Sequence, residues 1–141
     1  MSTTGNRHFL VLLFFISVII PFMISGCQKA SINGDLDGKW QIMEIETDHE
    51  IEDVKDNQLY YNFYMHVCNL SYYGGVFSEA VLSYENNTLR LFFPYIHTDY
   101  GVTVLTQYGI YSNPVEFKVV YLDKKKLVMQ NDKVIITCRK F

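Results

Sequence analysis

Beyond residue 35 this chain has no run in which apolar residues keep helical spacing for more than two turns, which argues against a helical bundle. It has no glycine-rich loop to cradle a phosphate, and no Ser or Cys in a strand-to-helix elbow with a His and carboxylate at hand. Donors for a metal are equally scarce. His66 and Cys68 stand two apart, a spacing that suits a soft metal, but a site needs three or four donors, and His49 and His97 fall in loops. The acidic stretch Glu44, Glu46, Glu50, Glu52 and Asp53 lacks the glycine-bearing loop and regular oxygen spacing of a calcium site and reads as a solvated connection. Nucleic-acid binding would call for an excess of basic residues, whereas the formal net charge is −3. The expectation is a chain that is not an enzyme, with no metal and no cofactor.

What the chain does have starts with an apolar run from Phe9 to Met23, preceded by Arg7 and His8 and followed by Ile24-Ser25-Gly26-Cys27. The run is shorter than the roughly 20 residues a spanning helix needs, and Pro21 interrupts it, so it reads as a secretory signal. Small residues followed by Cys resemble the cleavage and acylation site of bacterial lipoproteins, where the thiol of the new N-terminal Cys accepts a diacylglycerol. The resemblance implies a signal peptide over 1–26, lipidation at Cys27 and a polar tether over 27–35, with the folded domain over 36–141. Two or more acyl chains anchor a protein stably, at about 0.8 kcal/mol per buried CH₂.

Removing residues 1–26 leaves 115, enough for one modest core. All eleven Tyr stay, so the aromatic surface is mostly amphipathic; eleven Lys and Arg face fifteen Asp and Glu, a mild balance that does not favour electrostatic attraction to lipid as the main anchor. Tyr, Phe, Val, Ile and Thr dominate, and the spacing predicts strands over 39–47, 58–70, 76–84, 88–95, 102–108, 115–122, 126–130 and 133–140. Turn chemistry at Tyr73-Gly74-Gly75, Glu85-Asn86-Asn87, Asp99-Tyr100-Gly101, Ser112-Asn113-Pro114, Asp123-Lys124-Lys125 and Asn131-Asp132 makes neighbours in sequence neighbours in the sheet. Eight antiparallel strands leave two open edges unless they close into a barrel. Alternation over 59–67 places Cys68 with His66 on the face opposite Phe63, Met65 and Val67, while Cys138 shares the apolar face of Val134 and Ile136. Opposed faces argue for two free thiols.

Gly38-Lys39-Trp40 in the first strand resembles the Gly-x-Trp signature of lipocalin-like proteins, and Arg139 stands where that family places a basic residue over the tryptophan. The leader Asn33 to Trp40, the Tyr108-Gly109-Ile110 turn and the closing Ile136 to Phe141 are similar to a group of lipocalin-like lipoproteins of gut anaerobes that have no established activity. The resemblance implies an all-β, eight-stranded up-and-down barrel with Gly38, Trp40 and Arg139 as its fold signature. It also implies an outer-membrane lipoprotein facing the periplasm, since the acidic residues that often follow the acylated Cys in surface-exposed lipoproteins are missing from Gln28-Lys29-Ala30-Ser31.

Two functional readings follow. In the first, the barrel mouth opposite Trp40 holds a small apolar or aromatic ligand lined by Phe63, Met65, Val67, Leu89, Leu91, Phe93, Phe117 and Val119. In the second, those side chains fill the barrel, and outward tyrosines such as Tyr60 and Tyr64 contact a protein partner at the membrane. A continuous interior cavity of some 300 Å³ or more separates them. Under either reading, Cys27→Ser is expected to release the protein from membranes, as checked by fractionating cells that express the variant; retention in the membrane pellet would remove the anchor.

Overall fold

The computed structural model describes residues 31–96 and 99–141, with the side chains of Asp99 and Tyr100 outside the description. Residues 1–26, Cys27 and Gln28 to Ala30 lie outside the described residues, as does His97.

Among the described residues nine strands form one antiparallel sheet: β1 (Gly38–Thr47), β2 (Ile51–Asp53), β3 (Leu59–Tyr64), β4 (Val67–Tyr72), β5 (Gly75–Glu85), β6 (Thr88–Phe92), β7 (Val115–Leu122), β8 (Lys126–Gln130) and β9 (Val134–Lys140). Consecutive strands from β3 to β9 pair as a meander, and β1 pairs with both β3 and β9, so eight strands close on themselves. The short β2 adds to the far half of β1 beyond the barrel proper, pairing Glu44 with Asp53 and Glu46 with Ile51. Closure leaves the ladder without a free edge along most of its length. The closing seam runs from Trp40 opposite Lys140 to Thr47 opposite Val134, with a bulge between Ile42 and Glu44.

Eight barrel strands are present, but not the eight that periodicity predicts. The run 58–70 is two strands, reversed at Met65-His66, with Tyr64 opposite Val67 and Phe63 opposite Cys68. Met65 takes φ +54°, a left-handed conformation that a non-glycine residue adopts only at some cost. The turn is held from a distance, because Asn33 Nδ2 donates to Met65 O at 2.7 Å. This reversal shifts the phase of all that follows it. Cys68 therefore faces the interior, and the expectation that it lies on the opposite face from Cys138 is corrected: both thiols are buried inside the barrel, and both are free.

The second departure is 99–108, where a turn at Asp99-Tyr100-Gly101 and a strand over 102–108 are predicted. Here α1 (Asp99–Leu105) runs into a 3₁₀ turn, Thr106–Tyr108, which ends at Gly109 with φ +76°. Leu105, Tyr108 and Ile110 are fully buried, so tertiary packing overrides the β propensity of Val102-Thr103-Val104. The segment belongs to the long connection between β6 and β7. Asn113 ties that connection down, accepting from Phe93 N through Oδ1 and donating through Nδ2 to Phe93 O and Ile96 O, all at 2.9 Å.

The tether expected over 27–35 is also shorter than predicted. Ser31 Oγ lies 2.6 Å from Gly34 O and 2.7 Å from Asp37 Oδ2, and Asn33 Nδ2 reaches Asp37 Oδ1 at 2.6 Å, folding a 3₁₀ turn over Gly34–Leu36. Leu36 is completely buried. From Ser31 onward the chain is therefore part of the barrel's closed end.

Gly109 is where the connection meets the barrel wall most tightly: a Cβ there would stand 2.6 Å from Ile136 Cδ1. Gly74, at φ +82°, has nothing within 4 Å of that position. Gly109→Ala is expected to destabilise by about 1–3 kcal/mol through combined overpacking and backbone strain, and Gly74→Ala only by the backbone part of about 1 kcal/mol. Urea unfolding of both variants checks this; equal losses would mean that the Ile136 contact is not tight.

Candidate functional site

The closed end is organised around Trp40, the chain's one tryptophan, which is fully buried and donates from Nε1 to Leu36 O at 2.7 Å. The cation over its indole is not Arg139. Lys140 Nζ lies 4.8 Å from the ring centroid and donates to Asp35 O at 2.8 Å, while Arg139 turns outward and donates from Nη2 to Gln41 Oε1 at 2.7 Å. The register explains the correction: Val134, Ile136 and Cys138 point inward, so the next residue on that face is Lys140. Gly38 has a matching reason to be glycine. Its φ is +130°, and a Cβ would come within 2.9 Å of Lys140 Cε, so the bare backbone leaves the lysine arm its route to the indole.

Of the side chains expected to line a ligand, Phe63, Leu89, Leu91, Phe93, Phe117 and Val119 are buried inside the barrel at 6% exposure or less. Two are not. Met65 occupies the β3–β4 turn and Val67 is only half-buried, because the reversal moves both off the inner face. The interior also holds Tyr61 and Tyr108. Tyr61 stacks on Phe63 at 5.6 Å and 10°, meets Tyr108 edge-on at 6.3 Å, and donates its hydroxyl to Tyr108 O. Leu105, Tyr108 and Ile110 thus stopper the mouth opposite Trp40, and Tyr61 fastens the stopper from within.

This centre is apolar enough to suppress ionisation. Burial pushes the Tyr61 phenol and the Cys68 and Cys138 thiols well above their ordinary ranges, and raises Tyr108 to about 12. A buried neutral thiol is a poor nucleophile and a poor ligand. His66 sits in an exposed turn while Cys68 is fully buried, so that pair does not meet, and among the described residues no three His, Cys, Asp or Glu side chains converge as a metal set.

Space for a guest lies at the rim. A groove of about 390 Å³ opens between the β1–β2 hairpin and the stopper, lined by Ile45, Thr47, Glu50, Glu52, Val54, Asn57, Thr106, Gln107 and Tyr111. None of the six buried interior residues named above lines it. Part of the acidic stretch that reads as a solvated connection therefore walls this groove with two carboxylates.

The outer tyrosines need a second correction. Tyr64 is 59% exposed, but Tyr60 is covered by the Phe141 ring, edge-on at 5.3 Å, and by Lys39 Nζ at 4.1 Å. The larger aromatic surface is the β4–β5 hairpin tip at the mouth, where Tyr72, Tyr73, Val76 and Phe77 are all at least 43% exposed. Tyr72 and Tyr73 meet edge-on at 4.4 Å, and Phe77 stacks on Tyr108 at 5.9 Å, leaning the hairpin against the stopper. Sequence reading passed over this patch, although aromatic residues beside a Gly-Gly turn have little option but solvent.

A family model described as a lipocalin-like domain matches residues 22–141. The barrel superposes on a crystal structure of a lipocalin-like protein from Bacteroides uniformis with a TM-score of 0.62 at 22% identity, covering 77% of this chain and all of that one. A second crystal structure, of an uncharacterized protein from Bacteroides eggerthii, gives 0.58 at 16% identity, over 74% of this chain and 98% of the other. At these identities the likeness concerns the fold. No curated relative matches the chain.

Two outcomes follow from this geometry. Lys140→Ala is expected to cost about 0.5–1 kcal/mol and to change the emission of Trp40, whereas Arg139→Ala stays within about 0.5 kcal/mol and leaves the emission alone; the reverse ranking would return the tryptophan cover to Arg139. The raised thiol pKa values also make stability depend on alkali. The folded state holds those protons while the unfolded state releases them above pH 9.0, so this contribution is complete below that pH. It falls by about 1.4 kcal/mol per pH unit for each thiol as pH rises toward the folded values. Denaturant midpoints between pH 9.0 and pH 10.0, before unfolded tyrosines titrate, should show the slope, and Cys68→Ala with Cys138→Ala should flatten it there.

Proposed function

The chain belongs to the lipocalin-like domain family, and for a member whose barrel is packed with its own side chains we propose a non-enzymatic interaction module, held at the outer membrane by an acylated Cys27 and facing the periplasm. The observation that carries this reading is the stoppered centre: with Tyr61, Phe63, Phe93, Tyr108 and Phe117 all buried there, a guest would have to displace the core. Binding then falls to the outside, and the aromatic hairpin tip is the surface best suited to a protein partner. Tyrosines supply large contact area at small entropic cost, and apolar side chains held out by a turn are costly to leave in water.

The test is photocrosslinking in cells. A benzophenone amino acid in place of Tyr73 is expected to give an adduct of one defined mass, while the same probe at exposed Ser83 on the barrel wall gives none. Tyr73→Asn, which suits the left-handed φ of +44°, together with Val76→Thr should abolish binding to the captured protein without lowering the melting temperature. Equal adducts at positions 73 and 83, or binding unaffected by the double variant, would overturn the assignment of this tip.

A second reading is favoured by the rim groove, whose volume falls in the range of small-molecule sites. With Glu50 and Glu52, Thr47, Asn57 and Tyr111 on its walls it suits a polar or cationic guest rather than the apolar one first expected. A guest of that kind must raise the melting temperature of the folded protein, and Glu52→Gln must diminish the rise.

A further inference from the structure

The small net charge conceals a separation along the barrel axis. Seven carboxylates between Glu44 and Asp56 belong to the β1–β2 hairpin and its return, together with Asp132 of the β8–β9 turn at the mouth; Lys133 is the cation of that turn, while Lys55, paired with Asp53 at 2.8 Å, sits part-way down the wall, where its carbonyl accepts from Gln41 Nε2. The closed end has the opposite sign. Lys39, Lys124, Lys125, Lys126, Arg139 and Lys140 all lie there, on the first turn of β1, the β7–β8 tip and the end of β9.

Three features of that end are hard to explain as mere solubility. Lys126 is directly opposite Arg139 in the β8–β9 ladder, and like charges so placed repel. Among the described residues none of these six cations is in an ion pair; the two pairs present, Lys55 with Asp53 and Arg90 with Glu116, lie elsewhere. The nearby carboxylates are partly spoken for, since Asp37 accepts from Asn33, and Asp123 accepts from the Tyr121 hydroxyl and from the backbone N–H groups of Lys125 and Lys126, leaving Asp35 and Glu85. Beside the cations stands Phe141, 69% exposed, with Lys39 Nζ 4.6 Å from its ring centroid and its N–H donated to Lys39 O. Tyr64, at the end of β3, adds a second exposed ring to the same end.

We propose that this closed end, through Lys39, Lys125, Lys126, Arg139 and Phe141, rests on the anionic phospholipid headgroups of the membrane to which the chain is tethered. The inference rests on the acylation of Cys27 put forward above. Only three residues separate Cys27 from Ser31, whose hydroxyl is already built into the closed end, and the four steps between them, at no more than about 3.6 Å each, reach about 14 Å. A lipid on Cys27 therefore keeps this end, and not the acidic mouth, at the headgroup level. Lysines and aromatic rings are the side chains that suit that zone, the first through anionic phosphates and the second through their amphipathic or apolar bodies. With the basic end down, the repulsive acidic hairpin points away from the surface, and the tip that carries Tyr73 is presented to the periplasm.

Lysines at both ends make the test internal. The protein produced from the full-length chain is reconstituted in vesicles of phosphatidylcholine alone or with phosphatidylglycerol, and the rate of amine acetylation is read at each lysine by mass spectrometry. Lys39, Lys125 and Lys126 are expected to react several-fold more slowly in the anionic vesicles, with Lys133 at the mouth unchanged and the difference removed by high salt. Lys125→Gln with Lys126→Gln and Arg139→Gln, all at exposed positions, should free Lys39 as well. Equal rates in both lipids would overturn the proposal, as would protection seen only in native envelopes, which would assign the face to a protein. The mass of the Cys27 peptide reads the anchor separately. An unmodified Cys27 with the lysines still protected would sink the anchor and leave the face standing; an acylated Cys27 without protection would do the reverse.

Discussion

The barrel depends on the seam where its first strand meets its last. The other pairings join strands close in sequence, β1 with β3 across the short β2 and β6 with β7 across a longer connection, and each could form with less loss of chain entropy; β1 with β9 requires residues about a hundred positions apart to come together. The seam is secured at the closed end by a small assembly of interlocking contacts. Gly38 clears the path, Lys140 crosses it to the indole and to Asp35 O, and Trp40 holds Leu36 O beneath. Phe141 adds one further backbone bond to Lys39 O. The first and last segments are thereby joined, and the N-terminal turn from Ser31 to Asp37 is fastened to the same place.

How far this was legible beforehand depends on whether the determining signal is local. Trp40 and Gly38 could be read from their place in an amphipathic opening strand, and the eight-stranded barrel from alternation and turn residues. The family resemblance points to Arg139 as the cation over the tryptophan, whereas the alternation of Val134, Ile136 and Cys138 points to Lys140, and the structure follows the alternation. The reversal at Met65-His66 carries no glycine, asparagine, aspartate or proline, and is held by Asn33 more than thirty residues away, so nothing nearby announces it. Similarly, Val102 to Leu105 has the composition of a strand and becomes helical because the mouth has to be filled. These two departures compensate in the strand count, which is why the architecture could be right while the inner face over 59–67 was wrong at Met65 and Val67.

The candidate surfaces were the least visible, and for a related reason. Surface properties depend on which turns gather at which end, and that requires the topology. Glutamates and aspartates scattered through one segment, and lysines scattered through three, become two poles once the strands are laid antiparallel. A cylinder with one polar end of each sign, a solid middle and its aromatic tip at the far rim is suited to standing on a surface and presenting something outward.

The stopper is one continuous stretch of chain, Asp99 to Ile110, inserted between two strands whose own hydrogen bonds it does not interrupt. Container and post thus differ by a cork. Shortening that single insertion, or trading Leu105, Tyr108 and Ile110 for smaller residues, would hollow the upper half of the cylinder without disturbing the staves, so a scaffold of this kind can pass between carrying cargo and bearing load by the history of one loop.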